Sequence, residues 1–384
     1  MRLMRFLLKR TPGVPDLDID FRRDGGGVWE RKAVYGKTGS GKSRAVEFLA
    51  GLYRIPMSLG HPDELKETGY GAAWVEPDSV LYPAHLRPVD TGAVVLASGD
   101  KSLHVEPGEH AGVQEVGAYW RGDDGRFRSS VPMRGRVNNL RSVTGEMRTG
   151  KREPRGGLFI YPQSRDLGRL RMDGIKEEET RFEWIYRYKT KSTFFGSVES
   201  WLVWQNYLDM EDGGQKGASE EQEPRNGEAP ACRFQEVVNP INETLQRSRL
   251  VGVKRGRVQA AGVESSSGAR GGDDRGEGAT FGLDQLSAGE RQVVLLLTDI
   301  HRRLRPGSLL VVDAPELHQD ALGKHRLLEA LETIRAQRKA QLLVFTACRE
   351  VLEWFVPGER YSLDGQQGEA EAPASRVEGA YPEA

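Results

Sequence analysis

Short apolar runs with two different periodicities organise the N-terminal part of the chain. Residues 3–8 and 17–21 alternate in places between apolar and polar positions, as strands with one buried face do. Residues 31–35 form another strand-like run, and 44–50 have the spacing of an amphipathic helix. The pattern predicts two adjacent antiparallel strands, followed by a strand, a tight loop and a helix.

The stretch from 61 to 190 has a different pattern, in which short β-prone runs alternate with turns rich in Gly and Pro. The clearest runs are 93–96, 117–120 and 157–161. The stretch has no sustained heptad repeat, so a coiled-coil arm is not expected. We interpret it as an inserted β-rich lobe.

Helical and polar segments alternate after this lobe. Residues 192–210 and about 234–249 predict helices, whereas 211–231 is polar, Gly-rich and acidic, which indicates a disordered linker. The predicted division of the chain is an N-terminal part of an α/β domain (1–60), the inserted lobe (61–190), a helix (191–210), the disordered linker (211–231), the C-terminal part of the α/β domain (232–365) and a disordered tail (366–384).

The C-terminal part of the α/β domain contains a clear helix start. Ser287 is a suitable N-cap, and Glu290, three residues later, completes a capping box for a helix that runs to about Leu304. The elements predicted after it are a buried strand at 308–312 that ends in Asp313, a helix at about 321–339 and a strand at 341–346.

A glycine-rich loop joins the strand at 31–35 to the helix at 44–50. It fits G-x-x-x-x-G-K-[ST] at every fixed position. Glycines let successive backbone N–H groups turn toward a phosphate, Lys42 reaches the β- and γ-phosphates, and the Ser43 hydroxyl binds Mg²⁺. The predicted phosphate-binding residues are Gly36, Lys37, Thr38, Gly39, Ser40, Gly41, Lys42, Ser43 and Arg44.

Composition limits the class of protein. The chain has 384 residues, a net charge of −1 and 29% charged residues, so it has no overall bias toward nucleic acid or membranes. No apolar run is long enough to span a bilayer, and the first ten residues are too short and interrupted for a signal peptide. Cys232 and Cys348 are the only cysteines and make no disulfide framework, which favours a cytoplasmic location.

Basic residues are frequent between 121 and 190 and leave two interpretations open. A basic face would bind the phosphates of DNA or the carboxylates of a partner protein. Alternatively these residues form a solvated surface, since acidic residues are interspersed after Asp173. The second interpretation is favoured.

The loop at 36–43, the Leu-Ser-Ala-Gly-Glu-Arg-Gln sequence at 286–292 and the strand that ends in Asp313 together resemble the ABC-type P-loop ATPase heads. The similarity is to the branch of SMC and RecF-like proteins and the OLD-like bacterial ATPases of the AAA family. That branch has the signature L-S-x-G-E-[RK]-Q and then a strand that ends in D-E-P-E-x-H. The resemblance covers 1–60 and about 233–365, and it implies an α/β fold, an ABC-type ATPase head with an inserted β-rich lobe.

The resemblance implies ATP and Mg²⁺ as ligands and a second copy of the chain as a partner. Ser43 and Asp313 would bind the metal. Ser287, Gly289 and Glu290 would contact the γ-phosphate of ATP on the second copy, where a helix N-terminus offers N–H groups and a favourable dipole. ATP would then join two heads into a head-to-tail homodimer.

Two further positions follow from the same resemblance. Such heads have a glutamine that links the nucleotide to the inserted lobe, and Gln163 is the first choice for it, with Gln114 second. Asp320 lies seven residues after Asp313, where these families place a residue that faces the partner's site.

The chain departs from the family pattern at two catalytic positions. Ala314 stands where the family has the glutamate that polarises the attacking water, and Ala can do no acid or base chemistry. Ala347 or Cys348 stands where the family has a histidine that contacts the γ-phosphate. Slow or absent hydrolysis is therefore favoured, and Glu316 and His318 are the candidates to replace the missing catalytic groups.

Two classes of function follow. The first is an ATPase whose ATP-driven dimerisation serves DNA repair or anti-phage defence. The second is an ATP-sensing scaffold that hardly hydrolyses ATP and holds or releases a separate effector protein. The nucleotide-binding subunit of a transporter is a weaker third interpretation, because the D-x-P-E-x-H form and the large insertion do not suit it.

Overall fold

A computed structural model of the chain describes residues 2–9, 14–15, 17–21, 23, 28–54, 70–76, 93–97, 118–121, 127–129, 142, 144–165, 182–188, 196–217, 233–263 and 280–364. Its strands are β1 (Arg2–Lys9), β2 (Leu17–Asp20), β3 (Arg31–Tyr35), β4 (Tyr70–Glu76), β5 (Ala93–Ala97), β6 (Ala118–Arg121), β7 (Phe127–Ser129), β8 (Leu158–Tyr161), β9 (Ile185–Arg187), β10 (Ser248–Lys254), β11 (Arg257–Gly262), β12 (Thr280–Gly282), β13 (Leu309–Asp313), β14 (Gln341–Thr346) and β15 (Arg360–Ser362). Its helices are α1 (Lys42–Arg54), α2 (Gly196–Gly217), α3 (Arg233–Thr244), α4 (Ala288–Arg303), α5 (Ala321–Gln337) and α6 (Arg349–Glu353).

A parallel sheet is the central layer of the described fold. Its strand order is β15-β3-β14-β13-β8-β9, and every neighbouring pair is parallel. β13 and β14 are buried at every position, as inner strands of a sheet covered on both faces are expected to be. Because the carboxyl ends of parallel strands lie at one edge, the phosphate loop after β3, Asp313 at the end of β13 and the residues after Thr346 come together there.

Two hydrophobic cores cover the two faces of this sheet. Side chains alternate between them along each strand, so that Val311 and Leu343 face the first core and Val312 and Leu342 the second. The first core contains apolar residues of β1, β2 and α1, and the second contains those of α2 to α5. The sheet whose edge carries the phosphate loop therefore lies between two packed layers.

Two other sheets flank the central one. The first has the order β2-β1-β4-β5-β6-β7 and is antiparallel except between β5 and β6, and the second is the antiparallel sheet β10-β11-β12. The buried side chain of Gln341, at the start of β14, fastens β1 to the central sheet. It accepts a hydrogen bond from Leu3 N (2.7 Å) and donates to Leu3 O and Trp29 O (both 2.9 Å).

The structure differs from the sequence-based boundaries in three places. β8 and β9 fall in the stretch predicted as inserted lobe, but they pair in the central sheet, because β8 is apolar throughout and fits beside β13. The predicted helix at 234–249 ends at Thr244, and β10 follows, held by the side-chain amide of Asn242, which bonds to Leu250 N and O. The predicted helix at 192–210 begins at Gly196 and extends to Gly217.

Several predicted segments lie outside the described residues. These are Gln114, most of the linker at 211–231, the tail at 366–384 and most of the basic residues between 121 and 190. Across the helices that the structure describes, none combines the length and apolar character that crossing a bilayer requires.

Candidate nucleotide-binding site

The phosphate loop connects β3 to α1 in the conformation that its glycines permit. Gly39 and Gly41 have φ angles of 87° and 86°, in the left-handed region that L side chains avoid. Gly36 N donates to Thr346 O on the neighbouring strand (3.1 Å), which anchors the start of the loop to β14. α1 begins at Lys42, so its free N–H groups open toward the loop.

The ammonium group of Lys42 lies inside the curve of the loop. Its Nζ donates to Gly36 O (2.5 Å) and Lys37 O (2.8 Å). The carboxylate of Asp364, just after β15, accepts from Lys37 N at 3.1–3.2 Å and braces the outer side of the loop. A positive charge is therefore held where an incoming phosphate would meet the backbone N–H groups.

Ser43 and Asp313 form the contact that sequence alone could only suggest, since they are 270 positions apart. The Ser43 hydroxyl donates to Asp313 Oδ2 at 2.7 Å. Burial raises the pKa of Asp313, while the Ser43 hydrogen bond and the charges of Arg165 and Lys42 oppose that rise. A hydroxyl and a buried carboxylate are hard oxygen donors, so this pair fits Mg²⁺.

The pair of Ser43 and Asp313 offers two oxygen ligands, of which one is a carboxylate. Among the residues that the structure describes, no group of three or more His, Cys, Asp or Glu side chains is arranged to hold a metal ion. Mg²⁺ in phosphoryl-transfer sites takes only one or two carboxylates and completes its shell with phosphate oxygens and water.

A cavity of about 370 Å³ opens beside the phosphate loop. Most of the residues that the sequence predicted to bind nucleotide line this cavity, and Gln163 is one of them. Its lining residues are Thr38, Gly39, Gly41, Lys42, Ser43, Arg44, Gln163, Asp313, Ala314, Glu316, Leu317 and Ala347.

The two positions that depart from the family pattern lie together in this cavity. Ala314 is buried, with φ at 50°, and its N–H donates to Phe345 O (2.7 Å). Ala347 presents its backbone N–H to Glu316 Oε1 at 3.1 Å. The backbone N–H of Cys348 donates to Thr346 Oγ1 (2.9 Å), at the end of β14.

Glu316 and His318, the two candidate catalytic residues, are separated by the fold. Glu316 lines the cavity, and its Oε2 is buried with no hydrogen-bond partner among the described residues. His318 is exposed and is not among the cavity residues of its own chain. The geometry therefore favours Glu316 over His318 for chemistry within this cavity.

Helix α4, which we call the signature helix because it follows Ser287 of the Leu-Ser-Ala-Gly-Glu-Arg-Gln sequence, starts where the sequence predicted. The side chain of Ser287 accepts from Glu290 N (3.2 Å), and the Glu290 carboxylate accepts from Ser287 N (3.1 Å), which completes the capping box. Within the described part of the chain, Ser287, Gly289 and Glu290 are not among the lining residues of the cavity. Asp320 caps α5 by accepting from Gly323 N, and it accepts from Gln246 as well; these bonds lower its pKa.

Arg165 is the residue of this region that sequence analysis missed. It is 5% exposed, and its guanidinium donates to Asp313 O and Ala314 O directly behind the cavity. Burial lowers its pKa to about 10, so it is still charged at neutral pH. A single Arg in an arginine-rich stretch belongs to no motif. Its hydrogen bonds to these carbonyl groups are visible only in the folded structure.

Gly289→Ala is expected to loosen the contact between the signature helix and the loop after β13. A Cβ at Gly289 would lie well inside van der Waals contact with the backbone oxygen of His318, which cannot rotate away. We expect a loss of about 1–3 kcal/mol of stability in urea unfolding, typical of overpacking. Gly145→Ala is the matched control, because its Cβ would meet open space; equal losses in both variants would contradict the expectation.

Comparison with known proteins gives matches among solved structures only. No protein-family model and no curated protein matches the chain. An SMC head bound to the C-winged helix domain of ScpA is 14% identical, with 92% of this chain and 91% of that chain covered and a TM-score of 0.41. The SMC head domain from Thermotoga maritima is 14% identical (92% and 92%, TM-score 0.40), and a dimeric bacterial ABC transporter cassette is 11% identical (91% and 90%, TM-score 0.31).

The fold is α/β with a parallel central sheet, and a phosphate loop and a buried aspartate lie at one edge of that sheet. A phosphate loop joins β3 to α1, the capped signature helix α4 precedes β13, and β13 delivers Asp313 to Ser43 at the edge of a parallel sheet. The predicted α/β fold class is thereby confirmed.

Proposed function

We propose that this chain binds ATP·Mg²⁺ and that ATP joins two copies head to tail, with slow hydrolysis at each site. The observation that carries the proposal is the hydrogen bond from Ser43 to Asp313 at the floor of the phosphate-loop cavity. It brings together the two groups that P-loop ATPases use to hold Mg²⁺ against the β- and γ-phosphates.

In this proposal the residues of the cavity have separate roles in binding and hydrolysis. The N–H groups of the loop and the charge of Lys42 bind and orient the phosphates. Gln163 lines the same cavity, and we assign it contact with the metal or the γ-phosphate. Glu316 is the carboxylate that remains to accept a proton from water, since Ala314 lacks one. Mg²⁺, when bound, supplies charge stabilisation of the phosphoryl oxygens.

The signature residues act on the neighbouring copy in this proposal. Ser287 and Glu290 cap the N-terminus of α4 on an exposed surface, so this helix end can meet a phosphate held by another chain. ATP would bridge the two heads, whereas ADP, without the γ-phosphate, would leave them apart. The proposed assembly is therefore a homodimer that forms with ATP.

We place the protein in the cytoplasm, among the OLD-like and RecF-like ATPases, with a role in DNA repair or anti-phage defence and with a separate effector protein as partner. DNA is a further candidate ligand of the basic stretch between 121 and 190. The second candidate function is a non-hydrolysing ATP sensor that holds this effector. The observation that favours it is the pairing of Ala314 and Ala347 in one cavity, where neither side chain can act as a base.

ATP turnover and the molecular mass in size-exclusion chromatography, each with and without ATP·Mg²⁺, test the proposal. We expect a dimer only with ATP and turnover well below the order of 1 s⁻¹ that is ordinary for enzymes. Lys42→Ala should abolish binding and dimerisation. A dimer with turnover at the uncatalysed background would favour the sensor, and a chain that stays monomeric and binds no ATP would refute both.

Mixing two defective chains tests whether the signature acts between copies. Lys42→Ala leaves the signature intact, and Ser287→Arg leaves the phosphate loop intact, so one complete composite site forms in a mixed dimer. We expect the mixture to regain ATP-dependent dimerisation that neither variant has alone. No recovery in the mixture would argue against action in trans.

A further inference from the structure

Arg165 is buried between the cavity and the body of the fold, where its guanidinium makes four hydrogen bonds to main-chain oxygens. Nη1 donates to Asp313 O (2.5 Å), Pro162 O (3.1 Å) and Tyr161 O (3.3 Å), and Nη2 donates to Ala314 O (2.7 Å). One planar group thereby connects the end of β8 to the end of β13. The two connected segments carry Gln163 and Asp313, which both line the cavity.

The main chain at Ala314 needs an external restraint. A non-glycine residue with positive φ costs about 1–2 kcal/mol relative to right-handed conformations, and Ala314 has φ at 50°. Its N–H is fixed by Phe345 O and its carbonyl by Arg165. The residue before this restrained turn is Asp313, whose carbonyl also accepts from Arg165 and whose carboxylate accepts from Ser43 (2.7 Å).

The charge of Arg165 is balanced by the site that it supports. The carboxylates of Asp313 and Glu316 both favour the charged guanidinium, against the cost of its burial. Burial raises the pKa of Asp313, and the charge of Arg165 opposes that rise. Replacing it would remove a positive charge as well as four donor contacts from behind the metal-binding carboxylate.

The segment that contains Arg165 also contacts the signature helix. Gln292, in the second turn of α4, donates to Arg165 O (3.4 Å), and Tyr161 donates to Asp299 of the same helix (3.0 Å). Tyr186 reaches the same carboxylate oxygen of Asp299 at 2.7 Å. Residues 162–165, which we call the Gln163 turn, are therefore held between the end of β13 on one side and the signature helix α4 on the other.

We propose that Arg165 is a positioning residue of the ATP·Mg²⁺ site, which aims the Asp313 carboxylate and the Gln163 turn by fixing the main-chain carbonyls behind them. The inference rests on the proposed binding of ATP·Mg²⁺. It predicts a selective effect on the metal, because Arg165 contacts the support of Asp313 and makes none of its hydrogen bonds to the phosphate loop.

The test is the Mg²⁺ dependence of ATP binding, measured by titration of ATP into the full chain at fixed Mg²⁺ concentrations and in EDTA. For Arg165→Met we expect the half-saturating Mg²⁺ concentration to rise by about 10–100-fold, the range found when support of a metal ligand is removed. ATP binding in EDTA should stay within about 2-fold of wild type, since the loop and Lys42 are untouched. Arg165→Lys should give an intermediate shift, because an ammonium keeps the charge but lacks the planar fork that reaches the carbonyls at the ends of both β8 and β13.

Arg335→Met is the matched control for loss of a buried arginine. Arg335 is 6% exposed and bonds to Glu30, Glu332 and Ala340 O, away from the cavity. It should lose stability without a change in Mg²⁺ dependence. If Arg165→Met does not fold, Arg165→Lys gives the decision.

Wild-type Mg²⁺ dependence in the folded Arg165 variants would overturn the inference and leave ATP binding standing. An equal shift in Arg335→Met would also overturn it, because the effect would then follow general instability. Absence of ATP binding by the wild-type chain would instead refute the proposed function, and the inference with it.

Discussion

Glu316→Gln is expected to lower ATP turnover by about 100-fold or more while leaving ATP·Mg²⁺ binding intact, because a positioned general base contributes about 10²–10⁴-fold. Glu316 lines the cavity with Asp313, and its Oε2 is buried without a partner among the described residues. The amide oxygen of Gln can still accept from Ala347 N, as Glu316 Oε1 does at 3.1 Å. The substitution therefore removes the basic group and keeps the structural bond.

Single-turnover hydrolysis with protein in excess over ATP measures this effect even when steady-state turnover is slow. Glu350→Gln is the control, because Glu350 pairs with Lys324 on the surface and is not a cavity residue. It should hydrolyse ATP at the wild-type rate. If Glu316→Gln also does so, Glu316 is not the base, and the sensor interpretation becomes the better one.

The parts of the site that sequence could predict are those with fixed local spacing. The glycines and Lys42 of the loop act within eight consecutive residues, and the capping box of Ser287 and Glu290 spans four. Asp313 was predictable because an apolar run leads directly into it. In each case the residues that act together are close in sequence, so their spacing alone predicts the chemistry.

The parts that sequence could not predict depend on pairing over long distances. The sequence pattern alone predicts β8 as part of the inserted lobe, because its apolar run is equally suited to any buried strand. Only its parallel register with β13 shows that it belongs to the central sheet, with Gln163 in the cavity and Arg165 behind it. The contact between Glu316 and Ala347 joins two strand ends for the same topological reason.

Gln341→Ala is expected to destabilise the fold by about 3–5 kcal/mol, because each buried polar group left without a partner costs about 1–3 kcal/mol. The side chain of Gln341 is 2% exposed and satisfies Leu3 N, Leu3 O and Trp29 O. Alanine would leave these three main-chain groups without the amide. It would also remove the hydrogen bonds that join β1 to the start of β14.

The free energy of unfolding in urea measures the loss, and Gln337→Ala is the matched control. Gln337 ends α5 and is exposed, so its replacement should change stability by no more than about 0.5 kcal/mol. Gln341→Glu distinguishes the bonds from the packing, because a carboxylate of the same shape cannot donate to Leu3 O and Trp29 O. If Gln341→Glu is as stable as wild type while Gln341→Ala is not, the amide fills space rather than bonds, and the flanking sheet is held by its apolar contacts in the first core.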